Sequence, residues 1–229
     1  MERFERRDIL IALGGGVTGD LTGYAAATYL RGIGFIQIPT SLLSQVDSSI
    51  GGKTGDDFSS YKNMVGAFHQ PELVYSNVST LKSLTKRQYI SGLGEIIKHG
   101  LIKNAAYYRW LKENREDILA RDTAVMMEMI KVSDEIKKNV VESDPFEKGE
   151  RAKLNFGHTL GHSVEKLMDF KMLHGECVSI GMAAAAGISY ERGLISRDDF
   201  DDVINTLEDF MLPVSIKDVV LPPSATITP

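Results

Sequence analysis

Residues 154–162 read LNFGHTLGH and set His158 and His162 four apart, so on a helix both imidazoles share one face. His174, in LHGECVS, follows closely, and three of the chain's five histidines fall between 158 and 174. A lone histidine is more often a satisfied core or surface residue; clustering is what sets these three apart. Neutral imidazole binds metals, and its titration near neutrality suits acid–base work. Glu95 and Lys98, in GEIIKHG, point from one face of a helical segment whose other positions are apolar. A buried carboxylate there requires a cation or hydrogen bonds. Two histidines and a glutamate make three protein ligands with an open position, as in catalytic zinc sites. Residue types and spacing alone leave a metal site, an acid–base site and buried histidines all open.

Two glycine-rich stretches could meet phosphates. GGGVTG at 14–19 fits G-x-G-x-x-G, follows an apolar run and opens a helical pattern, so its backbone N–H groups could cradle a pyrophosphate. The acidic residue expected about 20 positions on is missing, because Pro39, Thr40 and Ser41 stand there, which argues against an ordinary first Rossmann unit. A tight turn with no ligand remains the alternative. QVDSSIGGKTG at 45–55 crowds Asp47, Ser48, Ser49, Lys53 and Thr54 around a glycine pair, and Lys62 and Asn63 add donors in YKNMVG. Lys53 suits a phosphate as a point charge, and a solvated loop explains the same residues.

These residues need a scaffold, and the chain has two textures. From 8 to about 78 the short apolar runs ILIALG, GFIQIP and ELVYSN alternate with glycine turns and helical patterns, the rhythm of a parallel α/β sheet. From about 86 to 210 the periodicity is helical throughout, in GLGEIIKHGLI, YYRWLKENREDILA, AVMMEMIKVSDEIKKNVVES, HTLGHSVEKL, GECVSIGMAAAAGISYERG and RDDFDDVINTLEDFM. The 229 residues carry 26 basic against 31 acidic side chains, so neither nucleic acid nor an anionic membrane is an expected partner. The one cysteine, Cys177, excludes an internal disulfide, and no apolar run reaches the roughly 18 residues that span a bilayer. MERFERRDIL lacks the apolar core of a secretory signal, and a cytoplasmic location is expected.

Taken in order, GGGVTGD, RGIGFIQIPTSLLSQVDSSIGGKTG, KNMVGAFHQP, GEIIKHG, RAKLNFGHTLGH and LHGECVSIGM resemble the 3-dehydroquinate synthase family of sugar-phosphate cyclases, over about residues 8 to 195. The resemblance implies an α/β fold: a partial nucleotide-binding parallel-sheet domain, then an all-helical metal- and substrate-binding domain. Residues 1–85 are then the C-terminal half of the NAD-binding domain, and 86–229 the helical domain. It implies a shikimate-pathway lyase, a homodimer, using NAD and Zn2+ or Co2+ on a small sugar phosphate, 3-deoxy-D-arabino-heptulosonate 7-phosphate. A hydroxyl is oxidised by NAD, phosphate leaves, the carbonyl is reduced again, and ring opening and an aldol step close the carbocycle.

Carried over residue by residue, the resemblance makes Glu95, His158 and His174 the metal ligands and gives His162 an acid–base or phosphate-binding role. Lys53, Asn63 and His162 would hold the phosphate, with Arg31 reaching it from a second subunit. Lys137, Arg151 and Asn155 would grip the carboxylate, while Asp47 and Lys98 orient hydroxyls at the reacting carbons. Gly15, Gly16, Asp20, Thr40, Ser41 and Lys62 would contact NAD. Two departures stand beside these matches. The family's N-terminal half of the nucleotide domain, which holds the adenosine side of NAD, has no counterpart before the first strand, and LPVSIKDVVLPPSATITP does not resemble the family's closing helices. The expectation is a truncated chain with uncovered apolar sheet, poor NAD binding and little phosphate release. The competing readings are another cyclase, making an inosose or a valiolone, a non-catalytic metal- or phosphate-binding remnant, and a domain with no site.

Overall fold

The computed structural model describes residues 4–58, 61–145 and 147–218, and of residues 56–58 and 61–64 the backbone only. The chain divides into two compact units, Met1–Thr85 and Lys86–Pro229.

In the first unit, β1 (Ile9–Gly14), α1 (Gly16–Thr28) and β2 (Gly34–Pro39) form a β–α–β crossover, with Ile9 opposite Gly34 and Gly14 opposite Pro39 in a parallel ladder. A parallel pair needs such a crossover, since a tight turn can join only antiparallel strands. Further along the chain, β5 (Leu73–Val74) lies parallel on the other side of β2, giving the order β1-β2-β5. Ala26, Ile33 and Phe35 pack with Leu10 into the unit's core. Alternate residues of β1 point the other way: Ile9, Ile11 and Leu13 are 53%, 62% and 64% exposed, an apolar face on an edge strand.

The sequence leaves 45–55 as a phosphate-binding stretch or a solvated loop, and its last residues, from Lys53, form a strand. β3 (Lys53–Phe58) pairs antiparallel with β4 (Tyr61–Phe68), Gly55 facing Gly66. The glycines are there for close approach: a Cβ on Gly55 would meet Val65 O at 2.8 Å, and one on Gly66 would meet Thr54 O at 2.5 Å.

Secondary structure in the described part of the second unit is helical: α2 (Lys86–Lys103), α3 (Ala105–Glu113), α4 (Arg115–Ala120), α5 (Thr123–Ser143), α6 (His158–Leu167), α7 (His174–Glu191) and α8 (Arg197–Asp209), with a 3-10 turn over Glu150–Asn155. The stretch YYRWLKENREDILA is two helices that part at Asn114, whose backbone leaves the helical region at φ −103° and ψ 16° and whose side-chain amide also donates to Trp110 O at 2.9 Å. Asn104, Asp122 and Ser196 cap α3, α5 and α8 by accepting from free backbone N–H groups. Helix α7 buries Cys177, Val178, Ile180, Met182, Ala183 and Ala186, and is apolar on nearly every side, as a central helix must be.

Candidate metal centre

Three helices bring the chemistry-bearing residues together, and glycines set how close they come. A Cβ on Gly181 of α7 would lie 1.9 Å from Gly157 O, next to His158 at the start of α6. On the other side of α7, a Cβ on Gly175 would lie 1.8 Å from Ser91 O of α2, and Gly175 N donates to Ser91 Oγ at 3.1 Å. The backbones of α2, α6 and α7 therefore touch, and Glu95, His158 and His174 each sit beside one of these contacts.

Glu95 is fully buried, and its Oε1 lies 3.6 Å from His158 Nε2 and 3.6 Å from His174 Nε2. That oxygen has no hydrogen-bond partner, and the three candidate ligand atoms lie within 4.8 Å of one another. A tetrahedral zinc with ligands at about 2.1 Å holds them roughly 3.4 Å apart, so the spacing fits a divalent cation. An orphaned buried carboxylate oxygen is otherwise unfavourable, and a cation would satisfy it. The other oxygen, Oε2, accepts from the buried Lys98 ammonium. His158 Nδ1 faces Phe156 O at 3.3 Å, an arrangement that leaves Nε2 as the lone-pair nitrogen.

Protonation states agree with this geometry. Burial raises the Glu95 carboxyl, but the Lys98 ammonium and the two imidazoles together outweigh it and hold the group well below the usual carboxylate range. Burial lowers His158 to about 4 against the pull of Glu95. Near neutral pH the pair is a carboxylate and a neutral imidazole, the forms that bind a cation.

The rings of His158, His162 and His174 are mutual neighbours, with centroids 5.2, 5.2 and 5.9 Å apart for the 158–162, 158–174 and 162–174 pairs. His162 is exposed and belongs to a second possible ligand group with Glu165 and His174. The orphaned oxygen belongs to the first group. Glu165 is a residue that the sequence reading passes over; it lies on α6 three positions after His162 and seven after His158, spacing that keeps it on the histidine face.

The other residues singled out in the second unit lie on α5 and the turn after it. Lys137 is buried on α5. Arg151 is 3% exposed and donates from Nη1 to Pro145 O at 2.8 Å. The turn that carries it is organised by Asp144, whose carboxylate accepts from the backbone N–H groups of Lys148, Gly149 and Arg151. Asn155 donates to Glu147 Oε1 at 2.7 Å. In the first unit, Gly15 caps α1 and Gly16 opens it, Asp20 lies on its second turn, and Thr40 and Ser41 follow β2. Asp47 sits in a π-helical turn, Ser44–Ser48, and Lys53 is exposed at the start of β3. Arg31 is exposed and, with Leu30, holds a left-handed backbone at φ 73° and 47°. The side chains of Lys62 and Asn63 lie outside the described residues.

Solved cyclases share this fold. The 2-epi-5-epi-valiolone synthase of Streptomyces hygroscopicus, solved with NAD+ and Zn2+, superposes with a TM-score of 0.88 at 29% identity, over 94% of this chain and 61% of that one. A 2-deoxy-scyllo-inosose synthase, solved with carbaglucose-6-phosphate, NAD+ and Co2+, gives 0.85 at 28% identity, over 96% and 59%. The chain belongs to the 3-dehydroquinate synthase family: the family model described as 3-dehydroquinate synthase N-terminal matches residues 1–91, and that described as 3-dehydroquinate synthase C-terminal matches 92–227. The curated 3-dehydroquinate synthase of Acetivibrio thermocellus is 49% identical over 217 residues, and that of Francisella tularensis 52% over 201, covering 95% and 86% of this chain. The chain spans 60% and 56% of the length of those two relatives. No helix among the described residues is long and apolar enough to cross a membrane.

Proposed function

We propose that this chain is the metal- and substrate-binding core of a 3-dehydroquinate synthase, a lyase that takes 3-deoxy-D-arabino-heptulosonate 7-phosphate to 3-dehydroquinate and phosphate with NAD and Zn2+ or Co2+. The observation that carries the reading is the convergence of two imidazole nitrogens on the orphaned Glu95 oxygen, in a chain about half identical to curated synthases. When bound, the metal supplies a Lewis acid for substrate oxygens, and NAD supplies a hydride acceptor that is restored within each cycle.

Glu95, His158 and His174 would hold the metal. Lys98 keeps Glu95 ionised and fixes Oε2, so that Oε1 faces the two imidazoles. His162, exposed beside His158, stands outside that ligand set and suits acid–base or phosphate contact. Arg151 and Asn155, held in place by the Asp144 and Glu147 contacts, would grip the substrate carboxylate together with Lys137. The N-terminus of α1 at Gly15 and Gly16 would meet the NAD pyrophosphate through backbone N–H groups. A homodimer is part of the proposal: Arg31, exposed on a left-handed turn of the kind enriched at functional sites, would serve a second copy.

The likeness to valiolone and inosose synthases favours one second reading, a cyclase for a substrate without the carboxylate. Calorimetric titration of the cobalt-loaded chain separates the two. The proposal expects the heptulosonate phosphate to bind at least tenfold more tightly than a heptulose phosphate lacking the carboxylate, and Arg151→Ala to erase that preference. Equal affinity for both sugars supports the other cyclases.

A further inference from the structure

We propose that Glu165 is a positioning residue of the metal centre, acting through the outer nitrogen of His174; the inference rests on the metal site proposed above. His174 has two ring nitrogens and a carboxylate on each side. Its Nε2 lies 3.6 Å from Glu95 Oε1, and its Nδ1 lies 3.9 Å from Glu165 Oε1. Glu165 is 4% exposed, so its carboxylate faces His174 from inside the unit and not from solvent.

The comparison with His158 makes the assignment specific. There the outer nitrogen, Nδ1, faces a backbone carbonyl, Phe156 O, at 3.3 Å, and the inner one faces Glu95. Each candidate ligand imidazole thus has an acceptor behind it, a carbonyl for His158 and a carboxylate for His174. An acceptor at Nδ1 keeps the proton there, leaves the lone pair on Nε2 and makes the imidazole a stronger donor to a cation. His174 opens α7 and so has no preceding helical turn to lock its ring, whereas Glu165 comes from α6, which α7 packs against closely through Gly161 and Gly181. At 3.9 Å the contact is longer than a hydrogen bond, and a modest turn of the imidazole would bring the two atoms within reach.

Glu165 also belongs to the group His162, Glu165, His174, in which it would be a direct ligand. The positioning role and the ligand role make different predictions. The test uses the full chain and four proteins: wild type, Glu165→Gln, Glu165→Ala and His162→Ala. Zinc affinity is measured by competition with a chelating dye, the visible spectrum of the cobalt form is recorded, and melting curves without metal confirm folding. A positioning role predicts about one metal per chain in all four. Glu165→Ala should bind zinc about 10- to 100-fold more weakly. Glu165→Gln, whose amide oxygen still accepts from Nδ1, should lose less and show a shifted cobalt spectrum, and His162→Ala should match wild type. A folded Glu165→Ala with wild-type affinity and spectrum overturns the inference. So does loss of all metal in both Glu165 variants together with a comparable loss in His162→Ala, which makes Glu165 a ligand. Wild-type protein that binds no metal refutes the underlying metal site and this role with it. Should Glu165→Ala fail to fold, the Glu165→Gln spectrum and affinity decide alone, and values identical to wild type count against the role.

Discussion

Replacing Gly181 with alanine tests whether helix packing sets the ligand geometry. The added Cβ would lie 1.9 Å from Gly157 O, while real Cβ contacts almost never fall below 3.0 Å, so α6 and α7 must part locally by about 3.0 − 1.9 = 1.1 Å. The three nearest atoms, Gly157 O, Gly157 C and Gly161 N, are all backbone, and no side-chain rotation relieves the clash. Overpacking of this kind costs about 1–3 kcal/mol, against a helix-propensity gain of about 1 kcal/mol for alanine over glycine. The separation falls beside His158, while His174 lies on the other helix, so it feeds into the 3.6 Å spacings around Glu95. Metal sites tolerate only a few tenths of an ångström, and zinc affinity should drop at least tenfold. Gly187, on the same helix, is the control: its Cβ would meet only a Phe200 ring carbon at 3.7 Å, so Gly187→Ala should gain up to about 1 kcal/mol and bind zinc normally. Urea unfolding of the metal-free proteins and chelator competition supply both readouts. If Gly181→Ala matches Gly187→Ala in stability and zinc affinity, the close-packing argument is wrong.

Two further outcomes follow from buried charge. Lys98→Met leaves the Glu95 carboxylate buried without its ammonium, and should destabilise the metal-free protein by about 3–5 kcal/mol, with much of the loss restored by saturating zinc in thermal melts; no zinc-dependent recovery argues against a cation at Glu95. Asp134, raised from 3.8 to about 7 by burial despite Lys137, holds its proton more tightly folded than unfolded. Its contribution is therefore complete below the unfolded value and is lost as pH rises through about 7, so Asp134→Asn should gain roughly 1–3 kcal/mol over wild type at pH 8 and almost nothing at pH 4. Urea midpoints at the two pH values check this, and a pH-independent difference contradicts it.

The parallel strands were legible because ILIALG and GFIQIP are short, largely apolar runs bounded by glycine or proline, the pattern of parallel strands, although one face of β1 is exposed. The β3–β4 hairpin was not, because KTGDDF holds a glycine and two aspartates, residues depleted in strands. The close approach of its strands at Gly55 and Gly66 needs glycine at both positions, and local propensity does not encode that. Helical periodicity likewise identified α5 to α8, but it could not show that the backbone would leave the helical region at Asn114 and part α3 from α4. At the centre, the spacing of His158 and His162 gave a shared face without saying which imidazole meets Glu95. That depends on α2 and α7 touching at Ser91 and Gly175, a contact between residues 84 apart in sequence. Glu165 was hidden for the same reason: its partner is on a different helix.

In the proposed function, Glu95, His158 and His174 form one cation site that excludes His162. Metal content after stripping, zinc titration and desalting, measured by mass spectrometry on wild type, His158→Ala and His162→Ala, tests it directly. Wild type and His162→Ala should each retain about one zinc per chain, and His158→Ala should retain none. Equal loss in both variants, or full retention in His158→Ala, would contradict the assignment.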